Sequence, residues 1–104
     1  MVVGAIGKIQ DAGGYWFGTQ ADQASFAPDT VVASQVYHWE VILKELISLR
    51  SEGILGGRSF VANLENGGEV MAFNPDLELS ADVKEAAEAT IQGIIDGSIT
   101  IELP

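Results

Sequence analysis

Cysteine is absent from this sequence. That removes disulfides, thiolate metal sites and a cysteine nucleophile. Histidine occurs once, at His38. A zinc site would have to be assembled mostly from carboxylates, which is unusual, so no metal and no other cofactor is expected. Basic residues are few. Lys8, Lys44, Arg50, Arg58 and Lys84 are scattered against 15 Asp and Glu, for a formal net charge of -10. A phosphate-binding surface needs clustered Lys and Arg, so this balance argues against nucleic acid and against anionic membrane surfaces as partners. The plain role of such charge is solubility. No apolar run approaches the ~20 residues that span a bilayer, and no direct membrane insertion is expected. The opening MVVGAIGKIQ is apolar but short, with one Lys and no cleavage pattern after it, so it does not read as a signal peptide.

What is present is a chain of 104 residues, 47% hydrophobic. That suits one domain, residues 1–104, whose burial is only marginally sufficient. Val2, Val3, Ile6 and Ile9 fit a short amphipathic helix over 2–12, ended by Gly13-Gly14. Residues 15–18 read as a short strand, the Ala-Pro-Asp-Thr stretch as a turn, and Val31–Tyr37 as a second strand rich in β-branched residues. A helix is expected from about His38–Glu40, with Val41, Ile42, Leu46 and Leu49 on one face and a stop at Gly53 or Gly56-Gly57. Residues 59–64 and Glu69–Phe73 read as strands of a hairpin turned at Asn66-Gly67. Ser80 is the expected N-cap of a last helix, in which Val83, Ala86, Ala87, Thr90, Ile91, Ile94 and Ile95 form a 3.6-period stripe. Gly97 stops that helix, and 98–103 read as a final strand. The alternation predicts an α/β fold with a mixed, mostly parallel sheet flanked by helices.

Catalytic motifs are missing. His38 has no nucleophile to serve and no evident orienting partner. Acidic pairs such as Glu85 and Glu88 are those a solvated helix face produces anyway. The Asn-Pro-Asp-Leu-Glu-Leu-Ser stretch lacks the ligand spacing and central Gly of an EF-hand. Neither GKIQDAGG nor GGRS ends as a phosphate loop does. The chain does not read as an enzyme.

One resemblance covers nearly the whole chain. Its residues are Gly18, Asp22 and Gln23; Ala27-Pro28-Asp29; Ala33-Ser34; Gly67-Gly68; then Leu79 through Val83 to Ile95, Gly97 and Ile99. In that order they resemble the C-terminal lobe of the basic membrane protein family, the purine-nucleoside-binding lipoproteins of ABC transporters. Gln20 stands where the family has Asp, and Tyr37 where it has Lys. The resemblance implies part of a periplasmic-binding-protein type I lobe. It also implies a non-enzymatic module for a nucleoside-like or other polar heterocyclic solute, held by Gln20, Asp22, Gln23, Tyr37, His38 and Trp39. Full-length relatives have two lobes closing on the ligand, and are extracytoplasmic or lipoprotein-anchored; a chain complete as given would be cytoplasmic. The alternative reading is a stand-alone oligomeric interaction protein derived from such a lobe, with no solute of its own. In either case the expected assembly is a homodimer or higher even oligomer, burying the face of Val2, Val3, Ile6 and Ile9 or extending the sheet.

Overall fold

A computed structural model describes residues 2–102. Three helices and three strands follow one another as α1 (Val2–Asp11), β1 (Trp16–Gly18), β2 (Val31–Tyr37), α2 (Trp39–Ser51), β3 (Glu69–Phe73) and α3 (Ala81–Ile95). The fold class is α/β, with one three-stranded sheet in the order β1-β2-β3. β1 and β2 are parallel, with Phe17 opposite Ala33 and Gly18 opposite Ser34. β3 runs the other way: Asn74 N donates to Val32 O at 3.0 Å and His38 N to Gly68 O at 2.9 Å, so partner numbers fall as β2 advances. The sheet is therefore mixed, with one parallel and one antiparallel pair rather than a mostly parallel set.

The described residues divide into two compact units, 2–37 with 71–79 and 38–70 with 80–102. In the first, Ile6 of α1 packs with Ala27 and Val31, and Trp16 lies half-buried against them. Every buried apolar residue among the described ones belongs to this unit: Ile6, Ala27, Val31, Val32 and Ala33. Ile6 is only 1% exposed. The α1 face expected to bury itself against a second copy thus has its central residue inside the chain already, while Val2 and Val3 stay exposed.

Parallel strands need a crossover, most often helical. Here the connection from β1 to β2 holds only a 3-10 turn, Ala24–Phe26. Polar side chains hold it instead. Asp22 Oδ1 accepts from Ala24 N at 2.9 Å, and Ser34 Oγ accepts from Gln23 N at 3.1 Å. At the far end of β3, Asn74 is 4% exposed and fully engaged. Its Nδ2 donates to the carbonyls of Pro28 and Val31, each at 2.6 Å, and its Oδ1 accepts from Asp76 N at 2.9 Å.

The second unit carries α2, α3 and the loop between α2 and β3. Gly53 ends α2 with φ 82. Its N–H reaches Arg50 O at 3.1 Å while Ile54 N reaches Leu49 O at 2.9 Å, the paired closure of a Schellman motif. Residues 59–64 do not form a strand. Asn63 and Asn66 take over the main-chain groups that a ladder would need: Asn66 Oδ1 accepts from Asn63 N at 3.1 Å and Gly68 N at 2.9 Å, and Asn66 Nδ2 donates to Val61 O at 2.6 Å. The Asn66-Gly67 turn is present, with Gly67 at φ 69, but it does not join a hairpin. Ser80 stands at the N-cap of α3 without a side-chain capping bond. Beyond Gly97 the chain folds back on α3, Ile99 N donating to Gly93 O at 2.8 Å, so no strand forms over 98–102. Leu103, the end of the strand expected there, lies outside the described residues.

Candidate functional site

The residues expected to hold a solute divide between the two units. Gln20, Asp22, Gln23 and Tyr37 belong to the first, His38 and Trp39 to the second. In the first unit Gln20 and Tyr37 meet through their backbones, Tyr37 N donating to Gln20 O at 3.3 Å. This bond prolongs the parallel pairing past the end of β1. Gln20 holds φ 77, a left-handed conformation uncommon for a residue with a side chain. Asp22 is exposed and accepts from the 3-10 turn.

Gln23 has both ends of its amide engaged within the chain. It is 6% exposed. Its Oε1 accepts from the Trp16 indole N–H at 2.9 Å and its Nε2 donates to Thr19 O at 2.9 Å. Gly18 makes room for it: a Cβ at that position would lie 2.7 Å from Ser34 Oγ and 2.9 Å from Gln23 Cδ. The amides and hydroxyls of this aromatic-rich stretch hold together a crossover that lacks an α-helix.

In the second unit, His38 Nδ1 lies 2.8 Å from Glu40 Oε1. The hydrogen bond from the imidazole, then Glu40's own backbone N–H, lower the Glu40 carboxyl below the ordinary glutamate range. This is a local contact at the start of α2, and Trp39 is exposed. Two other carboxylates are held low by local donors. The Ser80 hydroxyl, then the amides of Asp82 and Val83, act on Asp82, and the Ser98 hydroxyl, then its amide, act on Asp96.

A concave, mostly apolar surface of this unit lies elsewhere. A groove of about 300 Å³ is walled by Leu46 and Ile47 of α2 and by Leu55 and Phe60 of the following segment. Arg50 and Arg58 also line it. α2 carries apolar residues at 41, 42, 43, 46, 47 and 49, more than one stripe can absorb. Val41, Ile42 and Leu49 are half-buried, while Leu43, Leu46 and Ile47 are exposed. The expected stripe of 41, 42, 46 and 49 passed over Leu43 and Ile47. The excess of apolar positions was the signal that α2 has a second face to cover. No group of acidic or histidine side chains able to hold a metal occurs among the described residues.

The arrangement defines a small α/β module with an apolar groove on one unit. No family model matches the chain, and no curated protein does. Among solved structures it is similar to a transcriptional activator of the comK gene from Bacillus halodurans. The TM-score is 0.76 at 20% identity, over 97% of this chain and 35% of that one. This chain thus spans about a third of that structure's length, and at such identity the likeness is one of fold.

These comparisons overturn the resemblance to the basic membrane protein family. The matching structure is that of a transcriptional activator, not of a transporter component. The solute-binding reading, its ABC-transporter setting and the small-molecule partner fall with it. So does the stand-alone oligomer derived from such a lobe. The expectation that nucleic acid is excluded gives way too, because the matching structure is that of a transcriptional activator. The physical reason is visible at Gln23. An amide near an aromatic ring suggested ligand recognition, but both groups are satisfied by each other and by the backbone.

Proposed function

We propose that this chain is a non-enzymatic part of a transcription-regulating protein and that it acts by contact with a protein partner. The observation that carries this reading is the fold likeness to a transcriptional activator over 97% of the chain. The exposed apolar surface of the second unit supports it: Leu43, Leu46, Ile47, Leu55 and Val61 are all exposed, more than scattered surface apolars require. A net charge of -10 favours a protein surface over the phosphate backbone as the point of contact. As a finer fold assignment, the parallel β1–β2 pair and the closing helix α3 support a partial binding-protein type I lobe.

The test is a reporter. The chain is fused to an unrelated DNA-binding domain and placed upstream of a reporter promoter carrying that domain's operator. Transcription should rise above that given by the DNA-binding domain alone. A silent reporter sinks the reading. So does direct binding of the unfused chain to duplex DNA with a steep salt dependence, which would put the contact on phosphates.

A further inference from the structure

Two of the five basic residues, Arg50 and Arg58, stand at the same apolar groove. On a chain of net charge -10 this gathers positive charge beside an apolar surface. Neither guanidinium forms an ion pair among the described residues. Along α2, Leu43, Leu46, Ile47 and Arg50 follow i, i+3, i+4, i+7 spacing, so one helix face presents both an apolar wall and a cation.

We propose that the groove docks an amphipathic segment of a partner protein that carries carboxylates beside its apolar anchors. The proposal rests on the reading that the partner is a protein. At about 300 Å³ the groove is at the small end for binding pockets and suits apolar side chains inserted from a helix laid across it. Guanidinium groups match carboxylates in planar, bidentate geometry, and they do so best beside apolar walls that exclude water. A second copy of this chain is a poorer occupant, because it brings another -10 to the same surface.

The probes are three fluorescent synthetic peptides of one length. Each has Leu at i, i+3, i+4 and i+7, flanked by Glu in the first, Gln in the second and Lys in the third. Fluorescence anisotropy with the full chain should show the Glu peptide binding roughly tenfold tighter than the Gln peptide and the Lys peptide weakest. Salt of about 0.5 M should erase most of the Glu advantage, which needs no variant to observe. The Arg50→Gln/Arg58→Gln variant, with its fold checked by circular dichroism, should bind the Glu and Gln peptides equally. Equal affinities in the wild type, or a Glu preference that survives in the double variant, overturns the proposal. So does a dimer of the chain that Leu46→Asp dissolves, because the groove would then belong to a second copy. A positive reporter without charge preference removes the groove assignment alone. A silent reporter with the preference intact removes the regulatory reading and leaves the groove standing.

Discussion

Trp16 donates its indole N–H to Gln23 Oε1 at 2.9 Å, across the loop that joins two parallel strands. The amide that accepts this proton also donates to Thr19 O at 2.9 Å. One buried side chain therefore does for this crossover what a packed helix does in most parallel pairs. Replacing Gln23 with Leu keeps the bulk and strands the indole N–H and a carbonyl. We expect a loss of about 1–3 kcal/mol, read by urea denaturation. Adding Trp16→Phe should recover part of that loss, since the stranded donor is gone. A neutral Gln23→Leu would show that water takes over the amide's bonds.

Asn74 ties the end of β3 to the turn before β2, through the Pro28 carbonyl, and to the first residue of β2, through the Val31 carbonyl. Asn74→Ala should cost about 1–3 kcal/mol for the same reason, and Asn74→Asp should not rescue it, because a carboxylate has no N–H to offer. Equal stability of the Asp variant and the wild type would contradict the donor assignment.

Gln20 sits at φ 77. The left-handed region costs a residue with a Cβ roughly 1–2 kcal/mol, partly offset by the greater backbone entropy that Gly loses on folding. Gln20→Gly should leave stability unchanged or raise it by up to about 1 kcal/mol, while Gln20→Val should lower it. Thermal denaturation of the two variants side by side separates them. A Gly variant that is clearly weaker would mean that the Gln20 side chain contributes more than its backbone costs.

Glu40 has its carboxyl lowered, first by the His38 ring and then by its own N–H. A depressed folded value stabilises the protein above the unfolded value, and the contribution is lost as pH falls through the folded one. The stability difference between wild type and Glu40→Gln should therefore be present near pH 7 and shrink as pH falls below the ordinary glutamate range. Denaturation at several pH values measures it. A difference that stays constant to pH 3 would place the Glu40 effect in packing.

The helices were legible in the sequence because their signals are local. The 3.6-period stripes and the glycines at 13, 53 and 97 mark α1, α2 and α3, and all three glycines take positive φ at helix ends. β2 was legible for its β-branched run. The strand expected over 59–64 was not there, because side-chain amides two or three residues away outcompete a ladder partner, and periodicity does not register that competition. The direction of β3 was also hidden, since it depends on which distant strand it meets. At the site, Gln23 looked exposed because amides usually are. Only its neighbours Gly18, Ser34 and Trp16, 5, 11 and 7 residues away in sequence, reveal it as interior. Arg50 and Arg58 looked scattered because eight positions of helix end and loop separate them along the chain, yet they line one groove.

Among the described residues the buried apolar ones all lie in the first unit, and that has a kinetic consequence for the backbone. Amide protons exchange with solvent through opening events whose free energies rise with local burial. The slowest protons should be those of Val31, Val32, Ala33 and Ser34, the fully enclosed run of β2. Those of α2, which buries no residue, should exchange orders of magnitude faster although they too are bonded within a regular element. The molecule would then pair a slow-exchanging anchor with a segment that samples open states on its own timescale, and a partner that seats on α2 would announce itself by slowing that segment.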